Sequence, residues 1–357
     1  MEIKKGKKIY LEVLRIICIV LVIFNHTSPD GYMAFIGETN GFLYGLKMFM
    51  SILCKIAVPV FFMISGALLL GRQESLKVLF TKRILRIVLV LILVSVPYYI
   101  WRTPDAAPSV VGFFLMLITG AATTSMWYLY AYIGFLLMLP FLRAAAARLK
   151  EKEYIYLLIA HIIFTVFFTV FDHFIFKDGH NTDFSITIII ETNVFYPLMG
   201  YYIENVMDSS RFRKKNYWIA GILSLIAVFV TIGISILYYH IQSEALDADA
   251  YQTFFEILLC VPAISLFFIL KGVVRVKEGG AWYRILSCIG GAVFGVYLID
   301  PLLRGLLSPH VHRLLDPIVG SFVSALALVM IVMILGTSVI CLLKRIPYLK
   351  KIVNYFI

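Results

Sequence analysis

The sequence carries little charge. Asp, Glu, Lys and Arg make up 15% of its 357 residues, while hydrophobic residues make up 61% and the mean hydropathy is +0.91. Soluble domains are about 25% charged and about 45–50% apolar. This composition excludes an ordinary soluble domain. Because only helices and closed barrels can span a bilayer, and the apolar runs here have helix length, we predict an all-α membrane protein.

Cysteine is scarce as well. The five cysteines are an odd number, and all lie inside or at the ends of apolar segments: Cys18, Cys54, Cys260, Cys288 and Cys341. In such segments a thiol behaves as a small apolar side chain. The sequence therefore predicts neither a disulfide framework nor a metal site.

Long polar stretches, internal repeats and low-complexity tracts are also missing. Residues 1–24 have the basic start and apolar run of a signal peptide, but no small-x-small cleavage site follows, so this segment is expected to remain as the first helix. We predict one membrane domain over residues 1–357, with no appended soluble domain. The sequence leaves the oligomeric state open, including a homo-oligomer.

Ten apolar segments have about the 20 residues that a helix needs to cross the hydrocarbon. They cover residues 9–27, 48–70, 84–101, 126–142, 154–175, 186–206, 217–239, 251–270, 285–307 and 317–343. The apolar stretch 110–119 is too short to cross and is typical of a re-entrant or interfacial piece. The prediction is a polytopic protein with about ten transmembrane helices.

Basic residues concentrate on one side of these spans. Twenty-five Lys and Arg residues fall on that side and four on the other. Because loops rich in Lys and Arg stay in the cytoplasm, both termini are predicted to be cytoplasmic. The net charge of +11 is then explained by contact with anionic membrane lipids, and no nucleic-acid partner is expected.

The first span, within "YLEVLRIICIVLVIFNHTSPD", contains three ionisable residues. Arg15 and His26 are eleven positions apart, which is three turns plus about 20°, so they share one helix face about 16 Å apart along the axis. Glu12 lies three residues before Arg15 and can pair with its guanidinium. Since ionisable residues inside a span are costly, this face indicates function more than a structural ion pair.

Arg15-x10-His26 resembles the signature of the membrane acyltransferase-3 family. Five further segments are similar to motifs of that family, in the same order along the chain. They are Pro59, Phe61, Phe62, Ser65 and Gly66; Arg83 and Arg86; Trp127, Tyr128, Leu129 and Pro140; residues 195–203; and residues 290–303. In the last segment Asp300 stands where the family usually has histidine, which leaves a carboxylate in that place. Independently of the resemblance, Ser65 and Gly66 are small residues that are expected to let another helix approach closely.

The resemblance implies a stand-alone acyltransferase of a bacterial plasma membrane. It implies transfer of an acyl group, mostly acetyl, from acetyl-CoA to a hydroxyl of a glycan or another extracytoplasmic acceptor, without a metal. The topology independently predicts two polar zones, one near each membrane face. The outer zone contains His26, Lys55, Glu191, Glu256 and Asp300, and the inner zone contains Glu12, Arg15, Arg83, Arg86, His161 and Arg284.

These zones suggest a mechanism. Arg83 and Arg86 form a fork suited to the phosphates of CoA, although plain positive-inside charge would also explain them. His26 is then a general base whose tautomer a carboxylate, Asp300 or Glu191, holds in place. An acyl-histidine intermediate is the alternative. Arg15 and Ser65 are further candidates for binding CoA, with Arg15 beside its pantetheine arm. The candidates for binding the acceptor are Trp127, Tyr128, Glu256 and Tyr297.

Two other classes compete with this reading. A transporter of a small polar solute, such as an amino acid, would also contain buried charges. The sequence lacks the paired Gly- or Pro-broken spans that inverted repeats give transporters, and the Arg83 and Arg86 pair suits a nucleotide better. A purely structural scaffold leaves the shared face of Arg15 and His26 unexplained. For Glu191, Glu256 and Lys55, a structural hydrogen bond or ion pair remains open.

Overall fold

A computed structural model describes residues 8–102, 109–170, 174, 192–241, 252 and 254–346. These residues are mostly helical and contain no strand, which confirms the all-α fold. The α-helices are α1 (Ile9–Asn25), α2 (Gly41–Cys54), α3 (Ala57–Leu69), α4 (Leu76–Val78), α5 (Leu85–Arg102), α6 (Val110–Thr119), α7 (Trp127–Ala146), α8 (Glu151–Ile163), α9 (Thr192–Tyr201), α10 (Lys214–Ile241), α11 (Cys260–Val273), α12 (Ala281–Gly290), α13 (Val293–Val319) and α14 (Ser321–Leu343). Leu79–Ile84, Phe164–Phe168 and Tyr202–Val206 are π-helical, and Thr124–Met126 and Ser209–Arg211 are 3-10 helices.

Several helices are long and apolar enough to cross a membrane. Within the described part of the chain there are five: Gly41–Leu69, Leu76–Trp101, Thr124–Ala146, Lys214–Ile241 and Ser321–Leu343. α12 and α13 make a sixth if the pair, bent by 54° at its break, counts as one span. Each of these six overlaps a predicted span, and together they define a multi-pass membrane protein.

Other predicted spans are shorter as helices. α1 occupies the predicted span 9–27 with 17 residues. α6 is a ten-residue apolar helix, and its length agrees with the prediction that this piece is too short to cross. The predicted spans 154–175, 186–206 and 251–270 lie partly outside the described residues.

Two segments have helix boundaries that differ from the predicted spans. Residues 308–316 were predicted to lie between spans, yet α13 continues through them to Val319 and contains Pro309 and Pro317, because membrane helices tolerate proline. Residues 254–259 were predicted to be part of a span, but they form successive turns. The backbone N–H of Phe255, for example, donates to the backbone carbonyl oxygen of Gln252 at 3.0 Å, three residues back.

The chain divides into two units, and unit 1 combines Met1–Gly71 with Leu142–Ser287. Its centre is the crossing of α3 and α9. A Cβ added to Gly66 would lie 1.9 Å from the carbonyl oxygen of Pro197, and one added to Gly200 would lie 2.0 Å from that of Met63. The two backbones therefore touch through reciprocal glycines, which is how small residues let membrane helices approach. α1 packs against α2, α3 and α11 around this crossing.

A buried carboxylate ties three parts of unit 1 together. Glu204, whose side chain is 8% exposed, forms an ion pair with Lys8 and accepts a hydrogen bond from the Tyr10 hydroxyl. Lys271, at the end of α11, approaches the same carboxylate at 3.2 Å and donates to the carbonyl oxygen of Ile203 at 2.5 Å. This cluster fixes the start of α1 against the segment after α9 and against α11.

Unit 2 combines Arg72–Phe141 with Cys288–Ile357. Within it α13 packs along α14, where Gly336 leaves room for the side chain of Val296. The Tyr98 hydroxyl donates to the carbonyl oxygen of Leu298 at 2.8 Å, and the Tyr297 hydroxyl donates to that of Ser125 at 2.7 Å. These buried hydrogen bonds attach α13 to α5 and to the turn before α7.

Candidate active site

The ion pair predicted in α1 is present. Arg15 Nη1 lies 2.8 Å from Glu12 Oε1, which confirms the pairing expected from their three-residue spacing. Glu12 is 5% exposed, and its Oε2 is buried with no hydrogen-bond partner among the residues described. An acceptor left unsatisfied in this way is costly. The first half of α1 thus presents a carboxylate oxygen and a partly exposed guanidinium side by side.

His26 lies at the end of α1. The helix is continuous through Asn25, and the backbone N–H of His26 still donates to the carbonyl oxygen of Ile23 at 3.1 Å. Its backbone angles, φ −102° and ψ 13°, fall in the bridge region where many active-site residues are found. The residue is half-buried. His26 is therefore held by helix geometry while part of its surface stays accessible.

A polar cluster lies where the ends of α1 and α2 meet. The last residues of the two helices are in contact, since Cys54 Sγ donates to the Asn25 side-chain oxygen at 3.5 Å. His26 directly follows Asn25, and Lys55 directly follows Cys54. Lys55 Nζ donates to Gln252 Oε1 at 3.3 Å and lies 4.9 Å from the centre of the Tyr32 ring. The Tyr32 hydroxyl donates to the same Gln252 oxygen at 2.9 Å. We call Asn25, Tyr32, Cys54, Lys55 and Gln252 the α1-end cluster.

An ion pair joins the loop between α1 and α2 to α2 itself. Lys47 Nζ donates to Glu38 Oε2 at 2.5 Å. This hydrogen bond, together with one from the backbone N–H of Asn40, lowers the pKa of the Glu38 carboxyl below its ordinary value. Glu38 therefore keeps its negative charge at neutral pH.

The two arginines predicted to bind phosphate differ in their surroundings. Arg83 Nε donates to Glu74 Oε2 at 2.8 Å, and Arg83 Nη2 donates to the other oxygen of the same carboxylate. This two-point geometry is the one that an arginine offers to phosphate. Arg86 Nε is buried and has no hydrogen-bond partner within the described ranges. One guanidinium is thus engaged by an internal anion, and the next has an unused buried donor.

Asp300 is fully buried in α13 and is paired within its own helix. Its two carboxylate oxygens accept from Nε and Nη2 of Arg304, each at 3.1 Å. A buried carboxylate requires such a partner, because leaving its charge unpaired is strongly destabilising. The pairing explains how α13 accommodates Asp300. The predicted role of Asp300 beside His26 stays a prediction.

Aromatic residues of the predicted acceptor site occur together in unit 2. The ring centre of Tyr128 lies 5.9 Å from that of Tyr297 in an edge-on arrangement and 5.8 Å from that of Tyr132 in a stacked one. Tyr297 is buried, whereas Trp127 is 48% exposed. Tyr128 and Tyr297 are thus brought together, and Trp127 faces outward from the start of α7.

The other predicted residues have plainer surroundings. Ser65 Oγ donates back to the carbonyl oxygen of Phe61 in its own helix at 3.0 Å. Glu256 was predicted to lie within a helical span, but it is exposed on the turns before α11. Glu191 lies outside the described residues. No structural observation tests the role assigned to any of these three.

His161 is a buried histidine of unit 1. It is 6% exposed and stacks on Phe195, with ring centres 3.8 Å apart and an angle of 4° between the planes. Its Nδ1 is buried without a hydrogen-bond partner in the part of the chain that the structure describes. The stacking gives His161 a packing role between α8 and α9.

The predicted residues divide between the units. Unit 1 contains Arg15, His26, Ser65 and Glu256, and unit 2 contains Arg83, Arg86, Trp127, Tyr128, Tyr297 and Asp300. Among the residues described there is no group of three His, Cys, Asp or Glu side chains arranged to hold a metal ion.

Sequence reasoning missed three partners. Arg304 could have been found, because it lies four residues after Asp300 on one helix. Glu74 lies nine residues before Arg83, in the segment that precedes α4, and Gln252 is 220 residues from Tyr32. No local pattern indicates either of these contacts.

The long apolar helices define a multi-pass membrane protein. α1 contains the Glu12–Arg15 ion pair, and His26 lies at its end. Residues 8–343 match the family model described as an acyltransferase domain, nearly the whole chain. The chain therefore belongs to the membrane acyltransferase-3 family, as the sequence motifs predicted. Comparison with curated proteins and with solved structures gives no match.

Proposed function

We propose that this protein transfers an acyl group, acetyl by preference, from acyl-CoA to a hydroxyl of an extracytoplasmic glycan or another cell-surface acceptor. The observation that carries the proposal is the match to the acyltransferase domain over residues 8–343. The class of reaction follows from that family. The donor, the acceptor and the roles of individual residues are our proposals.

His26 is the proposed general base. Its imidazole takes the proton from the acceptor hydroxyl as the oxygen attacks the thioester carbonyl, and the carbon–sulfur bond then breaks. The proton passes to the leaving CoA thiolate, so the base is regenerated. An imidazole suits this role because its unperturbed pKa lies near neutral pH. The half-buried position at the end of α1 supports the assignment, since His26 is both fixed and accessible.

Arg83 and Arg86 are the proposed binding site for the phosphates of CoA. Arg86 has a buried N–H without an acceptor among the described residues, and a phosphate oxygen would satisfy it. Arg83 already holds Glu74 in the geometry that a phosphate would use. Donor binding at Arg83 therefore exchanges one anion for another, which makes Glu74 a competitor of the donor.

The remaining assignments concern the acceptor and the membrane. Tyr128, Tyr297 and Trp127 are proposed to contact the acceptor, because an aromatic surface suits the apolar face of a sugar ring. The proposal includes the topology predicted from the sequence, which has about ten spans, both termini in the cytoplasm and a location in the plasma membrane. This topology brings acyl-CoA from the cytoplasm and leaves the product outside.

Thermal unfolding of the detergent-purified protein with and without CoA tests the donor. A ligand that binds only the folded state raises the transition temperature. We expect CoA and acetyl-CoA to raise it in the wild type and to have little effect in the Arg83→Ala, Arg86→Ala double variant. If saturating CoA leaves the wild type unchanged, the donor assignment is wrong, and uptake of small polar solutes becomes the next measurement.

A further inference from the structure

Cys288 and Cys341 form a pair of thiols in unit 2. Their Sγ atoms lie 3.2 Å apart, and neither takes part in a disulfide. Because a disulfide has an S–S distance of about 2.05 Å, bond formation requires an approach of only about 1.2 Å. Cys288 is exposed and Cys341 is half-buried, whereas the other three cysteines are buried.

A second contact holds the two cysteines near each other. Lys344 Nζ donates to the carbonyl oxygen of Gly291 at 2.7 Å, and these two residues each lie three positions after one of the cysteines. The thiols thus stay adjacent without a covalent bond. Lys344 and Arg345 directly follow the end of α14, and charged residues at a helix end mark the membrane–water interface. A water-soluble reagent can reach a thiol there.

We propose that Cys288 and Cys341 are a redox modification site, which a soluble disulfide such as glutathione disulfide converts to an intramolecular disulfide. The exposed Cys288 thiolate attacks one sulfur of the oxidant, and the first glutathione leaves as its thiolate. The Cys341 thiolate then attacks the sulfur of Cys288 and releases the second glutathione. The protein loses two electrons and two protons, and the oxidant becomes two thiols.

The bond would enclose residues 288–341. This loop contains α13 with Tyr297 and Asp300, so oxidation restrains the helix that carries both residues. Cross-linking removes conformations from the unfolded chain. The oxidised protein is therefore expected to unfold at a higher temperature than the reduced protein.

The test uses the full-length protein, purified in detergent, reduced and then incubated with glutathione disulfide. The intact mass should fall by that of two hydrogen atoms, and peptide mapping should find residues 288 and 341 cross-linked. The three buried cysteines are the internal control and should remain unmodified thiols. In Cys341→Ser the same treatment should instead leave one glutathione attached to Cys288.

Two results would overturn the proposal. One is a wild type that carries glutathione on Cys288 and Cys341 separately, because adjacent thiols at reactive distance should resolve the first adduct. The other is a wild type whose intact mass does not change after incubation with glutathione disulfide, because an exposed thiol beside a second thiol should have been oxidised. Both results are read from folded wild-type protein, so a poorly folding serine variant does not prevent the decision.

Discussion

At the residue scale, the Glu12–Arg15 ion pair lies in the first half of α1, and His26 lies directly after the last residue of that helix. Arg15 is bound to Glu12, so its charge is partly neutralised where the helix is buried. His26 sits one residue past the helix, beside the α1-end cluster. The two residues thus have different environments, and this difference fits one binding role and one proton-transfer role.

His26→Ala should abolish most of the acyl transfer. General acid–base catalysis contributes roughly 10²- to 10⁴-fold, so we expect a rate loss of that size. CoA should still raise the unfolding temperature of the variant, because the donor phosphates are assigned to other residues. His310→Ala is the matched control, since His310 is an exposed histidine of α13 with no assigned role. A His26→Ala protein with wild-type activity would remove His26 from the mechanism.

Glu74→Gln should strengthen the binding of CoA. The substitution keeps the size of the side chain but removes the anion that occupies Arg83. Exposed and half-exposed ion pairs contribute about 0.2–1 kcal/mol, so the dissociation constant should fall by up to about fivefold. It is measured by titrating CoA and following the unfolding temperature.

The matched control for this prediction is Glu38→Gln. Glu38, in the loop before α2, pairs with Lys47 of α2 and is far in sequence from both arginines. Its loss should leave CoA binding unchanged. Weaker binding in Glu74→Gln would show that Glu74 orients Arg83 for the donor and does not compete with it.

Residue-level contacts were predictable where they are local in sequence. Glu12 and Arg15 lie one turn apart on a helix, and the spacing alone predicted their ion pair. Asp300 and Arg304 have the same kind of spacing. Glu204, by contrast, gathers Lys8 and Lys271 from opposite parts of the sequence, and only the folded chain brings them together.

At the scale of helices, the crossing of α3 and α9 depends on two glycines. Sequence reasoning predicted that Gly66 would let another helix approach closely, and the crossing confirms it. It did not predict which helix, because a small residue indicates that a neighbour is close but not its identity. The breaks between α12 and α13 and before α11 were missed for a related reason. An apolar segment has the same composition whether its helix is straight, bent or unwound.

Gly66→Ala should destabilise the protein. The new methyl group would lie 1.9 Å from the carbonyl oxygen of Pro197, which is backbone and cannot rotate away. Overpacking of this kind costs about 1–3 kcal/mol. The free energy of unfolding in detergent, from a denaturant titration, measures the loss.

Gly221→Ala provides the control for Gly66→Ala. Gly221 lies within α10, and a Cβ added there meets no atom within 4 Å. Alanine favours helix over glycine by up to about 1 kcal/mol, so this variant should be as stable as the wild type or more stable. Equal stability of both variants would mean that α3 and α9 do not touch through their backbones.

At the scale of the whole molecule, the proposed reaction requires a defined topology. Thr39→Cys should react with a membrane-impermeant maleimide in intact cells, because residue 39 is predicted to lie on the acidic, outer side. Gln73→Cys and Glu278→Cys should react only after the membrane is permeabilised. All three positions are exposed. A background with Cys288→Ser and Cys341→Ser removes the two accessible natural thiols, and labelling of Gln73→Cys in intact cells would contradict a cytoplasmic N-terminus.

The central claim is acyl transfer from acyl-CoA through His26. Membranes from cells that produce the protein, given acetyl-CoA with a radiolabelled acetyl group, test it most directly. We predict that label appears in envelope material as an ester released by mild base, and that His26→Ala membranes lack this label. Equal labelling by wild-type and His26→Ala membranes, with the two proteins present in equal amounts, would contradict the account.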